Sequence, residues 1–422
     1  MKEKFMIGYD LHNQYAQISF ITQDASEPET LSVQPGTERF HIPVCLCKRT
    51  GFNQWFYGLD AMKHKEEGVM VKDLLSLALK GEPVQVEDAE FDPVALLTLF
   101  VKRSLSGLTA VGEIDRMEAF MFTCEKLDAR MVEVLQQVAA GLSLKTRHIL
   151  YQSYAESFFQ YMIHQPEELW VRQVLLCDYQ TDVMKFYRME YNRRTTPVVA
   201  FIEEEERNFF ACGDYPEDEE MKKSVFDRMD EKMLSIAQEI TEGKMISSVY
   251  LIGDGFFEDW MQESLRFLCR GRRVFKGNNL YSKGACYAVK ERIHPGELAG
   301  RYVFLGADKL KANIGMKVIR QGEASYLALL DAGLSWYEAQ FSTEFLLTEG
   351  NSFEIVITPL NGKDARYGKV TLNGLPERKT PTRLYLEISM TGENQIRLYV
   401  EDLGFGELSP STYHKWTENF EI

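Results

Sequence analysis

Hydrophobic and polar positions repeat with two different periods along the chain, one typical of strands and one typical of helices. Up to about residue 60 the apolar residues form short runs broken by turns, beginning with "IGYDLHNQYAQISFI" at residues 7–21. Apolar residues flank a polar centre in this stretch, which predicts a strand, a tight turn after Asp10 and a returning strand. Further short strands are predicted in "RFHIPVCLCKRT" and "QWFYGLDA", and helices follow from Ala61.

The middle of the chain alternates between helical periodicity and short apolar runs. Helical spacing predicts helices over 93–105, 127–140, 154–164, 217–241 and 257–269. The runs between them predict strands at "EAFMFTC", "VRQVLLCDY" and "SVYLIGD", with a hairpin on either side of Asn192. This order predicts an α/β fold in which helices pack on mostly parallel strands.

The pattern of hydrophobic and polar residues changes again after Lys290. From residue 302 to residue 422, short β-rich runs such as "SFEIVITPL" and "TRLYLEISM" are separated by Gly, Pro and Asn turns. This pattern predicts an all-β domain, most simply a sandwich. The stretch "HPGELAG" at 294–300 has the composition of a linker. We therefore predict two domains, 1–298 and 299–422.

Composition narrows the classes of partner and compartment. The chain carries 48 Lys and Arg against 63 Asp and Glu, a net charge of -15, which argues against nucleic acid as a partner. Its seven cysteines lie mostly in apolar runs, so we expect reduced thiols and neither a disulfide framework nor a metal site. No run has the length of a signal peptide core or a membrane span, so we expect a cytoplasmic protein without membrane contact.

Three stretches that follow predicted strands carry the chemistry: "IGYDLHNQ", "VLLCDYQTDVMKF" and "VYLIGDGFFEDWMQESL". Together with the α/β-then-β order, they resemble the seventy-kilodalton heat-shock chaperones, whose ATPase domain belongs to the actin, hexokinase and sugar-kinase superfamily. The resemblance implies an actin-like ATPase fold of two duplicated, ribonuclease H-like lobes, followed by an all-β sandwich that binds substrate. No helical lid is expected, because the chain stops at Ile422.

The resemblance also implies a nucleotide cleft for ATP or ADP, with Mg²⁺ held through Asp10 and Asp178. The other cleft residues that it implies are His12, Asn13, Thr181, Gly253, Asp254 and Gly255. Phosphate loops use glycine so that backbone N–H groups can approach the anion. Here His12 and Asn13 fill the first loop, while Tyr179 and Gln180 fill the second. We therefore expect nucleotide binding to be weak or lost.

The same residues also have structural interpretations. Asp10 and Asp178 can each stabilise a turn at a strand end, which is as well supported as a ligand role. Gly253 and Gly255 are typical of an ordinary strand-to-helix turn. Gln152 falls where the family has a catalytic Glu, and an amide cannot act as an acid or a base. No catalytic residue is predicted.

The β domain carries the second part of the hypothesis. By the resemblance, an extended peptide would contact Met316, Phe341, Thr343 and Phe345, and the apolar stretch 320–339 is interpreted as an insertion near this groove. The leading hypothesis is a chaperone-like binding or adaptor protein, a pseudo-ATPase with a protein or peptide partner. The alternatives are a divergent Mg-dependent ATPase or small-molecule kinase, and a scaffold whose sandwich docks another protein.

Overall fold

The computed structural model describes residues 4–34, 36–37, 39–360, 363–376, 378, 380–406 and 409–422. Its backbone contacts divide the chain into two compact units, Met1–Val303 and Phe304–Ile422. Within the described residues, no helix is both long enough and apolar enough to cross a membrane.

Among the described residues, the α-helices all belong to the first unit. They are α1 Gly58–Lys63, α2 Leu74–Lys80, α3 Pro93–Ser104, α4 Ala129–Leu142, α5 Tyr154–Ile163, α6 Glu219–Thr241, α7 Glu263–Leu268 and α8 Leu280–Ile293. The strands up to residue 304 are β1 Phe5–Leu11, β2 Tyr15–Thr22, β3 Glu29–Thr30, β4 Ile42–Pro43, β5 Leu46–Arg49, β6 Trp55–Tyr57, β7 Gly68–Val71, β8 Val84–Val86, β9 Ala89–Phe91, β10 Met117–Cys124, β11 His148–Ser153, β12 Gln173–Tyr179, β13 Val183–Asn192, β14 Val198–Asn208, β15 Ile246–Ile252, β16 Arg273–Gly277 and β17 Tyr302–Phe304.

Two large sheets share one strand order. The first runs β11-β10-β1-β2-β3, with β4 also paired to β2, and the second runs β16-β15-β12-β13-β14-β17. In each sheet the second of these strands is parallel to the third, which is antiparallel to the fourth. A helix also follows the edge strand at the same end of each sheet, α5 after β11 and α8 after β16. The first unit is therefore built from two halves of matching topology.

The mostly parallel sheet predicted from the helix–strand alternation is wrong, because both sheets are mixed. The opening hairpin is the reason in the first half: β1 and β2 are joined by three residues and pair antiparallel from Phe5 to Leu11. So short a connection can only join antiparallel strands. The hairpin itself is confirmed, as is the α/β character of this part of the chain.

The last helix of the second half packs on the first half. The backbone N–H of Gly8 on β1 lies 3.1 Å from the Cys286 sulfur on α8. A Cβ atom at Gly8 would overlap the carbonyl oxygen of Ser282, and one at Gly284 would overlap the carbonyl oxygen of Ser157 on α5. Two glycines thus allow α8 to approach both β1 and α5.

The helix predicted over 257–269 starts later than expected, since α7 spans only Glu263–Leu268. Trp260 is buried, and its indole N–H donates to the Gly255 carbonyl oxygen at 2.7 Å, which holds the preceding residues in a compact turn. The Asp230 carboxylate on α6 accepts from the backbone N–H groups of Glu263 and Ser264 at 2.8 and 3.0 Å. These bonds satisfy donors that a helix start leaves free.

The second unit is all-β, as predicted. Its strands are β18 Ala312–Arg320, β19 Glu323–Leu330, β20 Gln340–Leu347, β21 Ser352–Pro359, β22 Arg366–Thr371, β23 Thr382–Gly392, β24 Gln395–Asp402 and β25 Lys415–Glu421. They form two four-stranded antiparallel sheets, β19-β18-β21-β22 and β20-β23-β24-β25. The rings of Phe345 and Phe353 meet between these sheets, with centroids 5.0 Å apart.

The apolar stretch 320–339, interpreted above as an insertion, contains a regular strand. Much of it forms β19, which pairs with β18 as a hairpin. Tyr326 on β19 lies over Gly315 of β18, where a Cβ atom would collide with its ring. The apolar residues Tyr326, Leu327, Leu329 and Leu330 are therefore strand residues of a regular sheet.

Candidate functional site

Two buried aspartates occupy equivalent places in the two halves. Asp10 is the penultimate residue of β1, and Asp178 is the penultimate residue of β12. Each strand lies at the centre of its sheet. Asp10 is 1% exposed and Asp178 is 6% exposed, so both carboxyl groups lie almost entirely out of contact with solvent.

A tyrosine from the start of a helix contacts each aspartate. The Tyr154 hydroxyl, on α5, donates to Asp10 Oδ1 at 2.5 Å. The Tyr281 hydroxyl, on α8, donates to Asp178 Oδ2 at 2.9 Å. The two phenol rings stack on one another, with centroids 3.9 Å apart and planes 6° from parallel. We call these four residues, Asp10, Tyr154, Asp178 and Tyr281, the tyrosine–aspartate cluster.

Burial changes the acidity of both carboxyl groups. It raises the pKa of Asp10 from 3.8 to about 8, with the Tyr154 hydrogen bond opposing the shift and the neighbouring Asp178 charge adding to it. It also raises the pKa of Asp178 to about 6, although Tyr281 and Lys185 favour the ionised form. Desolvation disfavours a charged carboxylate. At neutral pH, Asp10 is therefore mostly protonated.

Little space remains beside the cluster. A cavity of about 30 Å³ is lined by His12, Tyr15, Glu125, Tyr154, Asp178, Gln180, Thr181, Val183 and Lys185. Asp178 Oδ1 is buried and has no hydrogen-bond partner among the described residues. The cavity has room for water, whereas small-molecule sites usually measure about 300–1,000 Å³.

Stacked rings and ion pairs join the two halves across this region. His12 stacks on Tyr15 with centroids 4.7 Å apart, and Tyr15 stacks on His41 at 4.1 Å. His41 Nδ1 then lies 2.9 Å from Asp254 Oδ1 in the second half. Burial lowers the pKa of His12 to about 4, so its ring is neutral at physiological pH.

A second connection is an ion pair. Lys185 on β13 lies 2.5 Å from the Glu125 carboxylate, in the segment after β10. Both side chains line the small cavity. The cleft is therefore closed by contacts from both halves.

Two of the predicted phosphate-loop residues make hydrogen bonds that stabilise local structure. Asn13 Oδ1 accepts from the Ser76 backbone N–H at 3.0 Å, and its amide donates to Asp73 at 2.8 Å, so it caps the start of α2. Thr181 lines the small cavity, while its hydroxyl oxygen accepts from the Val183 backbone N–H at 3.2 Å. Of the predicted cleft residues, the structure gathers Asp10, His12, Asp178 and Thr181 around one point.

Gly253 and Gly255 contact Tyr179, which is fully buried. A Cβ atom at Gly253 would overlap the Tyr179 carbonyl oxygen, and one at Gly255 would overlap the Tyr179 ring. That ring packs beside Trp260, and its hydroxyl donates to the Phe210 carbonyl oxygen at 2.8 Å. Tyr179 therefore fills the core of the second half and not the cleft. The two glycines serve close packing in this structure.

A Mg-nucleotide does not fit these residues as they stand. Asp10 and Asp178 each accept a tyrosine hydroxyl, whereas Mg²⁺ in nucleotide sites is usually held through one or two ionised carboxylates. Within the described parts of the chain, no group of three or more His, Cys, Asp and Glu residues could hold a metal ion.

Gln152, discussed above for its place in the sequence, is buried, and its side-chain amide donates to the Ser157 hydroxyl at 2.6 Å.

The residues proposed for peptide contact face the inside of the second unit. Met316 is 3% exposed and lies on β18. Phe341, Thr343 and Phe345 are half-buried alternate residues of β20. The outward residues of β20 are Gln340, Ser342, Glu344 and Leu346, and Leu346 is 52% exposed. A peptide reaching this strand would meet its edge and its outer face.

The sequence interpretation missed Tyr154 and Tyr281, which close the cleft. Both stand in the first turn of the helix that ends each half, in "SYAESFF" and "LYSKGACY". The available signal was this correspondence, a tyrosine at the same place in two equivalent helices. It becomes visible only once the duplication is recognised.

The fold and site define an α/β unit, built from two halves of matching strand order around a closed central cleft, and an all-β unit. Residues 27–307 match the C-terminal part of a family of unknown function, DUF5716, and the chain belongs to that family. Residues 309–422 match a domain of unknown function, DUF8552. A search of the curated proteins finds no match.

Proposed function

We propose that this chain is a chaperone-like binding or adaptor protein whose first unit has an actin-like fold with an inactive nucleotide cleft. The shared strand order of the two sheets supports a duplication of the ribonuclease H-like kind. The position of Asp10 and Asp178 at the ends of equivalent central strands supports a common origin with Mg-nucleotide clefts.

The tyrosine–aspartate cluster carries the proposal. Each carboxyl group that would face a metal ion instead accepts a tyrosine hydroxyl, and the two rings occupy the space between the halves. Binding a Mg-nucleotide requires breaking both hydrogen bonds, separating the stacked rings and ionising Asp10. These costs oppose binding before any contact to the ligand is made.

The binding role falls to the second unit, which we interpret as a sandwich. β20 lies at the edge of its sheet, where backbone groups are free to pair with an added strand. An extended segment of a partner can add to such an edge through main-chain hydrogen bonds. Leu346, exposed on this strand, supplies an apolar contact beside the edge.

One observation favours the alternative of a divergent Mg-dependent ATPase or small-molecule kinase. Asp178 Oδ1 has no partner among the described residues, and Asp178 lines the small cavity. A cation could take this oxygen if Tyr154 and Tyr281 moved apart.

Titration calorimetry with Mg-ATP and Mg-ADP separates these functions. The proposal predicts no measurable heat of binding for either nucleotide at millimolar concentration. Saturable binding that is lost in Asp10→Ala would establish the alternative and overturn the inactive cleft.

An array of extended peptides tests the binding role with the full chain. Leu346→Lys adds a charge on the β20 edge and is expected to reduce capture of bound peptides at least tenfold. Ile319→Lys is the matched control, because Ile319 is 74% exposed but lies on the other sheet. Capture of no peptide, or equal loss in both variants, would count against a peptide site at β20.

A further inference from the structure

A second and larger cavity lies next to the closed cleft. It measures about 550 Å³ and is lined by Val33, Arg39, Phe40, His41, Leu59, Asp254, Phe257 and Asn278. It adjoins the small cavity through the stacked rings of His41 and Tyr15. Its volume falls within the range of about 300–1,000 Å³ that is usual for small-molecule sites.

The cavity is lined by polar groups that donate hydrogen bonds and have no acceptor among the described residues. No described residue pairs with the guanidinium group of Arg39 by a hydrogen bond or an ion pair, although the chain has 63 acidic residues against 48 basic ones. The backbone of Asn278 is held in place, because its main-chain carbonyl oxygen accepts from Gln17 Nε2 at 2.5 Å. Its side-chain amide has no partner in the described parts of the chain. A carboxylate would satisfy both donors.

His41 adds a fixed acceptor. Its ring is clamped by the stack on Tyr15 and by the contact of Nδ1 with the Asp254 carboxylate. Because Nδ1 faces a carboxylate, the neutral tautomer carries its proton on Nδ1 and has Nε2 as an acceptor. Nε2 is buried and has no partner among the described residues. A ligand with an N–H or O–H group would supply one.

The remaining wall is apolar and partly open to solvent. Leu59 is 43% exposed and Phe257 is 56% exposed, and both line the cavity with Val33 and Phe40. An aromatic ring or aliphatic chain of a ligand would cover these side chains and remove their apolar surface from water.

We propose that this cavity binds a small amphipathic acid. Its carboxylate pairs with Arg39 and Asn278, its apolar body covers Leu59 and Phe257, and an N–H or O–H group donates to His41. This site goes beyond the proposed function and does not depend on it, since it is separate from the tyrosine–aspartate cluster and needs no metal ion.

Three matched probes test these contacts by titration calorimetry on the full chain. Indole-3-acetate carries a ring, a carboxylate and an N–H group, and it is expected to bind. Indole-3-acetamide lacks the charge, and 1-naphthaleneacetate lacks the N–H group. We expect at least tenfold weaker binding for the amide and a smaller loss for the naphthalene acid.

Two variants locate the binding. Arg39→Met is expected to weaken binding of indole-3-acetate at least tenfold, and it should fold normally because Arg39 is exposed. Arg270→Met removes an exposed arginine that does not line the cavity, so it is expected to leave binding unchanged. Both proteins are compared at the same ionic strength.

The proposal is overturned if neither acid binds at millimolar concentration, if the amide binds as well as the acid, or if Arg39→Met has no effect. Adenosine binding more tightly than either acid would assign the cavity to a nucleoside and also overturn it. Failure of the acids to bind, or no effect of Arg39→Met, does not bear on the inactive cleft, which is decided by whether Mg-ATP binds and whether that binding is lost in Asp10→Ala.

Discussion

Tyr154 and Tyr281 stack face to face at 3.9 Å, and each donates its hydroxyl to the aspartate of its own half. The arrangement is nearly symmetric. Each tyrosine lies in the first turn of α5 or α8, and each aspartate is the penultimate residue of the central strand in its sheet. The close approach of α8 to β1 and α5, permitted by Gly8 and Gly284, places the two hydroxyl groups within reach of the carboxyl groups.

Replacing Asp10 with asparagine should increase stability at alkaline pH. The folded-state pKa of Asp10 is raised from 3.8 to about 8, so the stability gained from its protonated form is complete below pH 4 and is lost as pH rises toward 8. Asn stays neutral and can still accept from Tyr154. Thermal unfolding should show Asp10→Asn close to wild type at pH 5 and more stable by about 2 kcal/mol or more at pH 8, since one pKa unit corresponds to about 1.4 kcal/mol.

Asp24→Asn is the control for this experiment, because Asp24 is exposed. It should show no growing advantage between pH 5 and pH 8. A loss of stability in Asp10→Asn that is equal at both pH values would contradict the buried, protonated carboxyl group.

Removing the hydroxyl group of Tyr154 should destabilise the first unit. Tyr154→Phe keeps the stack on Tyr281 but leaves Asp10 buried without its hydrogen-bond donor, at a cost of about 1–3 kcal/mol. Urea unfolding measures this loss. Tyr413→Phe removes a hydroxyl group from a side chain that is 81% exposed, and it should be neutral. Equal stability of the two variants would show that the Tyr154 bond contributes nothing.

Adding a methyl group at Gly8 should disrupt the packing of α8. In Gly8→Ala the new Cβ atom overlaps the Ser282 carbonyl oxygen, and a helix backbone cannot move aside without shifting its neighbours. We expect a loss of about 1–3 kcal/mol or more in the free energy of unfolding, by chemical denaturation. Gly277→Ala is the matched control, since a Cβ atom there meets nothing within 4 Å. A Gly8→Ala protein as stable as this control would contradict the close helix approach.

The sequence predicted the strands that carry the two aspartates better than it predicted the contacts that close the cleft. Alternation of apolar and polar residues predicted the β1–β2 hairpin, and the ends of two buried strands located Asp10 and Asp178. The sequence also indicated where the Tyr179 side chain points. Successive strand residues point to opposite faces of a sheet, so Tyr179 must lie on the face opposite to Asp178. The cleft closure depends on where α5 and α8 meet in space, and no local pattern around Tyr154 encodes that meeting.

The protonation state of Asp10 is the most direct test of whether the cleft is closed. In protein with ¹³C-labelled aspartate side chains, the Asp10 and Asp178 carboxyl signals are assigned by comparison with Asp10→Asn and Asp178→Asn and then followed from pH 3 to pH 9. We expect Asp10 to titrate near pH 8 and Asp178 near pH 6. Midpoints near pH 4 for both signals, as for ordinary solvated carboxylates, would contradict the closed cleft.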